Sequence, residues 1–162
     1  MAVSLREIPL ERFGAWRDKH LAAAQANFED RLGLAPADAR RRAEAEVNGA
    51  LPDGFDTNGM HIMELVDSEG VEVGSMWVGP HPRRPDALYV YDIEIAPEHR
   101  GRGLGRSAME AAEAWARCRG DAAIGLSVSA ANVAARRLYA SLGYRETTIA
   151  MLKLTELRPE IP

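Results

Sequence analysis

The spacing of apolar and polar positions along the chain predicts ten elements in the order β-α-α-β-β-β-α-β-α-β. Strands are assigned where apolar residues alternate with polar ones or run on without a break, and helices where apolar residues recur every three or four positions. The predicted strands cover residues 3–8, 60–66, 71–78, 87–95, 123–128 and 144–154. The predicted helices cover residues 10–30, 36–47, 104–120 and 132–142.

Glycine and proline mark the ends of these elements. Gly33 is expected to end the first helix and Gly49 the second, because glycine closes a helix in the left-handed conformation at little cost. Residues 67–70 link two apolar runs as the turn of a β-hairpin, and the proline-rich residues 79–85 are expected to form a loop. No repeat or low-complexity linker interrupts the pattern, so one domain is predicted over residues 1–162.

The composition narrows the class of protein. The 162 residues are 46% hydrophobic and 27% charged, which is typical of a globular protein with its own core. The net charge of −4 gives no reason to expect a nucleic acid, because phosphate backbones are bound by clustered lysine and arginine. No apolar run approaches the roughly 18 residues that span a bilayer, and Glu7 and Glu11 interrupt the segment where a secretion signal would be apolar. We therefore expect a cytoplasmic protein with neither a nucleic acid nor a membrane as partner.

The chain offers few groups for covalent or metal chemistry. Cys118 is the single cysteine, so neither an internal disulfide nor a multi-cysteine metal site is expected. The histidines are scattered without the i, i+4 pairing of a zinc-binding helix: His20, His61, His81 and His99. The sequence therefore predicts no metal.

A glycine-rich turn stands between a predicted strand and a predicted helix. Residues 93–95 end the strand, and residues 100–106, Arg-Gly-Arg-Gly-Leu-Gly-Arg, lead into the helix. Glycines let successive backbone N–H groups converge, and a helix N-terminus adds unpaired donors with a partial positive charge of about half a unit. The arrangement suits a phosphate or pyrophosphate, although a plain tight turn accounts equally well for the glycines alone. The spacing fits neither a P-loop, which requires Gly-Lys-Ser/Thr, nor a GxGxxG dinucleotide motif.

Two motifs carry a resemblance to a known family. Arg100, Gly103 and Gly105 fill the pattern [RQ]-x-x-G-x-[GA], which resembles the acetyl-CoA-binding motif of the GNAT superfamily of N-acyltransferases. Residues 132–144 look like the family's second signature, N-x-x-A-x-x-L-Y-x-x-x-G-F/Y, in the expected order along the chain. The N-terminal half is also similar to that of small bacterial members of unassigned substrate, at residues 51–54 and 91–95.

The resemblance implies a fold and an activity. The fold is α/β (α+β), a single GNAT-type domain with a central mixed, largely antiparallel sheet flanked by helices, and its cofactor-binding core is expected at about residues 87–145. The implied reaction transfers an acetyl group from acetyl-CoA to a primary amine, by direct attack through a tetrahedral intermediate. A catalytically silent acyl-CoA-binding or regulatory module is the alternative, and a nucleotide-phosphate binder is a third. The substrate is a small-molecule or peptide amine of unassigned identity, and a homodimer is the candidate oligomeric state.

The resemblance also assigns roles to residues. The main chain of residues 93–95 would bind the pantetheine arm and the thioester carbonyl, and residues 101–106 would hold the pyrophosphate. Asn132 suits the N-cap of its helix as well as the cofactor arm. Tyr139 matches the tyrosine near the cofactor sulfur, and its phenol, with a pKa of about 10, would protonate the leaving thiolate; a core aromatic is the alternative. The expected cofactor-binding residues are Ile93, Glu94, Ile95, Arg100, Gly101, Arg102, Gly103, Leu104, Gly105, Arg106, Asn132 and Tyr139.

The general base is the least determined part of the predicted site. Some relatives carry a glutamate where this chain has Ser127, and a serine is too weak a base to take the amine proton alone. In a regular strand Asp92 and Glu94 would share one face. The other face would then hold the alternate side chains, Tyr89, Tyr91, Ile93 and Ile95. The sequence does not decide which face meets the substrate. Glu94 and Asp92 are the candidate bases, with His61 behind them; if the face of Tyr89 and Tyr91 meets the substrate, as in related enzymes, Asp92 and Glu94 are instead structural partners of nearby helix or loop groups.

Overall fold

The computed structural model describes residues 2–151 and Lys153, and the chain divides into two compact units, Met1–Ser127 and Val128–Pro162. The strands of the first unit are β1 (Ser4–Glu7), β2 (His61–Val66), β3 (Glu72–His81), β4 (Arg84–Ile95) and β5 (Ala123–Leu126). Its helices are α1 (Leu10–Leu32), α2 (Pro36–Ala50) and α3 (Leu104–Arg119), with short 3-10 turns at Gly54–Asp56 and Pro97–His99. The second unit contains α4 (Val133–Ser141).

The five strands form one sheet in the order β1-β2-β3-β4-β5. Neighbouring strands from β1 to β4 are antiparallel. β5 runs parallel to β4, because the chain returns through α3 to the end of the sheet where β4 began. The sheet is therefore mixed and largely antiparallel, which confirms the predicted α/β (α+β) fold class.

The sheet is covered on one face by α1 and α2 and on the other by α3. The first face carries a buried cluster drawn from both helices and the sheet: Ile8, Trp16, Val47, Leu51, Ile62 and Trp77. Side chains alternate along a strand, so His61, next to Ile62, points to the opposite face. There its ring lies 5.0 Å from the ring of Trp115 on α3, measured between centroids. The buried residues of α3 are Leu104, Ala108, Met109, Ala112 and Ala116.

Ion pairs and the His20–Asp92 hydrogen bond join α1 to the sheet. Three basic side chains of this helix bind acidic side chains of the strands: Arg12 with Glu64, Lys19 with Glu94, and His20 with Asp92. Glu64 is only 2% exposed and also binds Arg6 of β1, with 2.6 Å between Nη2 and Oε2. A buried carboxylate needs such partners, because an unpaired charge away from water is costly. The pairs hold α1 over β4, the strand predicted to bind the cofactor.

A β-bulge interrupts β4 and changes which side chains share a face. Trp77 of β3 pairs with Asp92 and the next residue of β3, Val78, pairs with Val90, so Tyr91 is an extra residue in β4. The ring of Tyr91 stacks on that of Trp77 at 4.8 Å, and Tyr91 packs on the cluster under α1 and α2. Tyr91 thus lies on the same face as Asp92. The prediction that the two occupy opposite faces is wrong, because it assumed unbroken alternation.

The strands β3 and β4 extend into the proline-rich segment that was expected to be a loop. β3 continues to His81 and β4 begins at Arg84. Within residues 79–85, only Pro82 and Arg83 therefore lie in the turn between the strands. Pro80 pairs with Leu88 of β4, while its ring packs against Gly59. Because β2 begins only at His61, no strand on that side requires the N–H that proline lacks.

The ends of several elements differ from the prediction. Gly33 (φ 62°) and Gly120 (φ 86°) end α1 and α3 in the left-handed conformation, as expected. α2 instead passes through Gly49 and ends at Ala50, and β5 ends at Leu126 rather than at residue 128. Residues 144–151 form no strand within the described part of the chain, so that much of the predicted last strand is wrong. Residues 152 and 154 lie outside the described residues.

The carboxylate of Asp67 organises the turn between β2 and β3. It accepts hydrogen bonds from the N–H groups of Val71 (3.0 Å) and Glu69 (2.9 Å). These contacts lower the pKa of Asp67, and the Val71 bond is the largest cause. Burial acts in the opposite direction and raises this pKa, while the Glu69 bond and the positive charges of Arg102 and His99 lower it further. A carboxyl whose pKa is lowered by folding stabilises the folded state above its unfolded pKa, and this contribution is lost as the pH falls through the folded value.

We therefore expect Asp67→Asn to cost stability in a pH-dependent way. The amide oxygen still accepts both N–H bonds, so the variant removes the charge alone. The difference in free energy of unfolding from the wild type should be constant above about pH 5 and shrink below about pH 4, where carboxyls protonate. Urea unfolding between pH 3 and 7 measures it, with the exposed Asp30→Asn on α1 as control. A difference that does not change with pH would contradict this account.

Candidate active site

The pairing between β4 and β5 stops half-way along β4. β5 pairs with β4 from Ala87 to Val90, and beyond Val90 β4 has a strand partner on the β3 side alone among the described residues. The Ala96 N–H donates to the Val73 carbonyl, so the backbone groups of Ala96 face β3 and those of the residue before it face away. By the same alternation, the N–H and C=O groups of Ile93 and Ile95 point to the open edge. These are the groups that the sequence predicts to bind the cofactor.

The glycine-rich turn begins where this open edge ends. Gly101 (φ 74°) and Gly103 (φ 78°) both adopt the left-handed conformation, and Gly103 is the N-cap of α3. A Cβ atom at either position would meet no atom within 4 Å, so backbone conformation rather than crowding favours glycine here. Among the residues that the structure describes, no side chain caps the N-terminus of α3. Its first turn therefore presents amide donors at an open surface, as an anion site does.

The arginines of the turn have partners within the protein. Arg100 donates from Nε to the Ile95 carbonyl at 2.8 Å, and its Nη2 lies 3.8 Å from Glu94 Oε1. Arg100 thus braces the corner between β4 and the turn, a role that the sequence did not reveal. The Nη1 atom of Arg102 lies 3.2 Å from His99 Nδ1. The two remaining predicted contacts of the turn, Leu104 and Arg106, lie in the first turn of α3 together with Gly105.

Two acidic side chains of β4 face α1, and each has a basic partner. The Glu94 carboxylate binds Lys19 Nζ at 2.6 Å in addition to Arg100. The Asp92 Oδ2 atom lies 3.2 Å from His20 Nδ1. The sequence pattern assigns no role to His20, because the contact between His20 and Asp92 joins residues 72 positions apart. Its one local signal is that it follows the buried Trp16 by four positions and so shares its helix face.

Aromatic rings surround the His20–Asp92 pair and continue along the sheet. The His20 ring stacks on Trp16 at 5.2 Å and meets the edge of Trp77 at 5.3 Å. The Tyr91 ring stacks on Trp77, the second tryptophan of this row, and the Tyr89 ring contacts Tyr91 with 5.0 Å between centroids. These rings form a continuous row of aromatic side chains, each with a polar N or O atom, beside the bulge in β4.

The hydroxyls of this row have partners. Tyr91 donates to the Pro80 carbonyl at 2.9 Å, and burial, followed by the nearby Tyr89, raises the pKa of Tyr91, which keeps this phenol protonated. The Tyr89 hydroxyl lies 2.6 Å from Ser127 Oγ. Ser127, at the position where some relatives carry a base, thus has a phenol as its partner.

His61, the third candidate base, lies on the α3 face of the sheet. Its Nδ1 is 2.6 Å from Glu7 Oε1, and its ring contacts Trp115. Asp92 and Glu94 lie on the opposite face, under α1. The fold therefore places Asp92 and Glu94 on the α1 face of β4, the strand predicted to bind the cofactor, and His61 on the opposite face of the sheet.

The second unit contains the two remaining predicted residues. Asn132 caps α4, because its Oδ1 accepts the Ala135 N–H at 3.1 Å, which confirms the predicted N-cap. Tyr139 lies on α4, with its ring 5.8 Å from that of Tyr144. The backbone N–H of Tyr144 donates to the Tyr139 carbonyl, so the turn after α4 folds back on the last turn of the helix. The roles of Asn132 and Tyr139 toward a cofactor stay predictions.

Neither a membrane-spanning helix nor a cluster of metal ligands occurs within residues 2–151 and Lys153. Among these residues, the helices lack the length and apolarity needed to cross a membrane. No three histidine, cysteine, aspartate or glutamate side chains gather there as metal ligands. The predicted absence of a metal and the cytoplasmic location stay predictions.

Comparison with known proteins identifies relatives over most of the chain. The family model described as "Acetyltransferase (GNAT) family" matches residues 26–144. YycN of Bacillus subtilis, described as an uncharacterized N-acetyltransferase, is 29% identical over 157 residues, which cover 94% of this chain and 99% of YycN. The crystal structure of YycN superposes with a TM-score of 0.88 at 26% identity, covering 95% of this chain and 99% of that one.

Two further relatives have more specific names. A mycothiol acetyltransferase of Pseudarthrobacter chlorophenolicus is 33% identical over 146 residues, covering 88% of this chain and 42% of that protein. AAC(6')-Iy, solved with the bisubstrate analogue CoA-S-monomethyl-acetylneamine, superposes with a TM-score of 0.58 at 15% identity, covering 97% of this chain and 100% of that one. At that identity the likeness shows the fold alone.

Proposed function

Because the chain belongs to the GNAT acetyltransferase family, we propose that it transfers an acetyl group from acetyl-CoA to a primary amine by direct attack. The observation that carries the proposal is the open edge of β4, which leads directly into the uncapped N-terminus of α3. An extended main chain whose Ile93 and Ile95 backbone groups point away from β3 suits the amide-bearing arm of coenzyme A, although Arg100 already binds the Ile95 carbonyl. The amide donors after it suit the pyrophosphate.

The residues present fit this donor. Ile93 and Ile95 would bind the arm through backbone groups that point away from β3, with Glu94 between them. Residues 101–106 would bind the pyrophosphate through amides, because Gly101 and Gly103 leave their outer side open. Arg100 would fix the corner between β4 and the turn, Arg102 and Arg106 would add positive charge, and Asn132 would contact the cofactor arm.

Bound acetyl-CoA supplies an acetyl thioester, and the side chains of the protein manage the protons. The proton lost by the amine would pass to a basic group on the face of β4 that holds Asp92 and Glu94. Tyr139 would donate its phenolic proton to the departing sulfur, since a phenol with a pKa of about 10 is protonated at neutral pH.

The proposed acceptor is a small-molecule or peptide amine. Mycothiol and streptothricin acetyltransferases are among the proteins similar to this chain, and they support this class by analogy.

We also propose a single functional domain over residues 1–162, with its cofactor-binding core at about residues 87–145, and a cytoplasmic location. A homodimer is the proposed oligomeric state, and analytical ultracentrifugation tests it.

Calorimetric titration with acetyl-CoA, followed by a free-thiol assay, tests the proposed function. The amine panel contains streptothricin, neamine, glucosamine, spermidine and a lysine-containing peptide. We expect saturable binding of acetyl-CoA and release of coenzyme A that depends on one class of amine. Absence of binding at several hundred micromolar acetyl-CoA would disprove the proposal. Binding without turnover on any amine would instead favour a silent acyl-CoA-binding module.

A further inference from the structure

We propose that His20 is the general base that removes the proton of the attacking amine, and that Asp92 is the residue that positions it. The inference rests on the proposed acetyl transfer. It goes beyond that transfer because it assigns the base to α1, a helix outside the cofactor-binding motifs.

The contact with Asp92 fixes the tautomer of the His20 ring. Nδ1 of His20 lies 3.2 Å from Asp92 Oδ2, and an ionised carboxylate can only accept. In the neutral ring the hydrogen therefore sits on Nδ1, and Nε2 keeps its lone pair. Within the described part of the chain Nε2 makes no hydrogen bond, and the side chain keeps 16% of its surface exposed. Nε2, the atom that would accept the proton, thus has a free lone pair and binds no donor among the described residues.

His81, at the turn between β3 and β4, has the opposite arrangement. Its Nδ1 accepts the Arg83 N–H at 3.1 Å, so the hydrogen of the neutral ring sits on Nε2. Its ring contacts Tyr89 at 5.0 Å, at the far end of the same aromatic row. Within the described part of the chain His81 has no carboxylate partner, and its Nδ1 lone pair is already engaged, so His81 provides the matched control.

Packing holds the His20 ring in place. The ring stacks on Trp16 with an interplanar angle of 14° and meets Trp77 nearly at right angles, at 85°. Both tryptophans are buried, at 8% and 3% exposure. A base held this way loses little freedom when substrate binds, which is a requirement for efficient proton transfer.

The pair lies next to the residues that we propose hold the acetyl donor. Asp92 directly follows the bulge residue Tyr91 and directly precedes Ile93, whose backbone faces the open edge of β4. Glu94, the other acidic candidate, already binds Lys19 and Arg100. Of the two acidic groups, Asp92 alone has an imidazole as its partner, and a neutral imidazole can accept a proton whereas the ammonium and guanidinium partners of Glu94 cannot.

The step balances in protons and bonds. The amine nitrogen forms a bond to the acetyl carbon while one of its protons passes to His20 Nε2. The carbon–sulfur bond then breaks, and the sulfur takes the phenolic proton of Tyr139. Solvent afterwards receives the proton from His20 and returns one to Tyr139, so that an amide and free coenzyme A are the only products.

Replacing His20 tests the proposal. His20→Phe keeps a ring between the two tryptophans but removes the base, and Asp92→Asn removes the charge that orients it. We expect kcat to fall by about 10²–10⁴-fold in His20→Phe and by less in Asp92→Asn, while the Kd for acetyl-CoA changes less than twofold. His81→Gln should keep the wild-type kcat.

Two readouts separate a base from a structural residue. The charged or titratable groups around His20 include its partner Asp92, the Lys19–Glu94 ion pair one residue earlier on α1, and Tyr91, which stacks on the same Trp77 ring. The acidic limb of the kcat/KM profile should disappear in His20→Phe but persist in His81→Gln. Added imidazole should restore part of the activity of His20→Ala.

The assay uses acetyl-CoA and the panel amine that the wild type acetylates fastest. A wild type that binds no acetyl-CoA or acetylates no amine overturns the proposed function, and this inference with it. An active wild type whose His20→Phe variant keeps its kcat and its acidic limb overturns the inference alone.

Discussion

Tyr139→Phe is expected to lower kcat by about 10²–10⁴-fold, the usual contribution of a positioned general acid. The variant removes one oxygen and keeps the ring that lies 5.8 Å from Tyr144. Without the phenol the departing thiolate must wait for a proton from water. Binding of acetyl-CoA requires no proton from Tyr139, so the Kd should stay within about twofold of the wild type. Steady-state thiol release and calorimetry measure the two quantities.

Tyr144→Phe is the control for this prediction. Tyr144 lies in the same unit and next to Tyr139, so a general disturbance of the turn after α4 should affect both variants alike. We expect Tyr144→Phe to keep the wild-type kcat. Equal losses in the two variants would show that the tyrosines act through packing. A Tyr139→Phe variant with wild-type kcat would assign protonation of the thiolate to another group or to water.

The sequence predicted those parts of the site that depend on local backbone chemistry. The left-handed positions in the turn and at the end of α3 require glycine, and the chain has Gly101, Gly103 and Gly120 there. Asn132 caps α4 because its short side chain reaches the amide three residues on. Each of these features is determined within a few residues, so the pattern alone identifies it.

Features that depend on distant contacts were out of reach of the pattern. The bulge at Tyr91 is a property of the register between β3 and β4, and regular alternation gave no sign of it. The partner of Asp92 comes from α1, whose position over β4 depends on ion pairs between distant segments. In the sequence His20 therefore looked like one of several scattered histidines, although the fold places it in the row of aromatic rings beside β4, the strand that we propose binds the cofactor.

Gly103→Ala is expected to weaken acetyl-CoA binding by about tenfold. A residue with a Cβ resists the left-handed conformation by about 1–2 kcal/mol, and Gly103 holds it with φ 78° at the N-cap of α3. The added methyl meets no neighbour within 4 Å, so the variant should fold and lose only this conformational energy. Relaxation of the strained turn would move the amide donors that we propose bind the pyrophosphate, and calorimetry with acetyl-CoA measures the loss.

Gly120→Ala separates this effect from a loss of stability. Gly120 ends the same helix with φ 86°, and a Cβ there also meets nothing within 4 Å. The two variants should therefore lower the free energy of unfolding by similar amounts, about 1–2 kcal/mol. Only Gly103→Ala should change the Kd, because the start of α3 points its amides at the ligand and its end does not. If both variants bind acetyl-CoA as the wild type does, the pyrophosphate lies elsewhere on the protein.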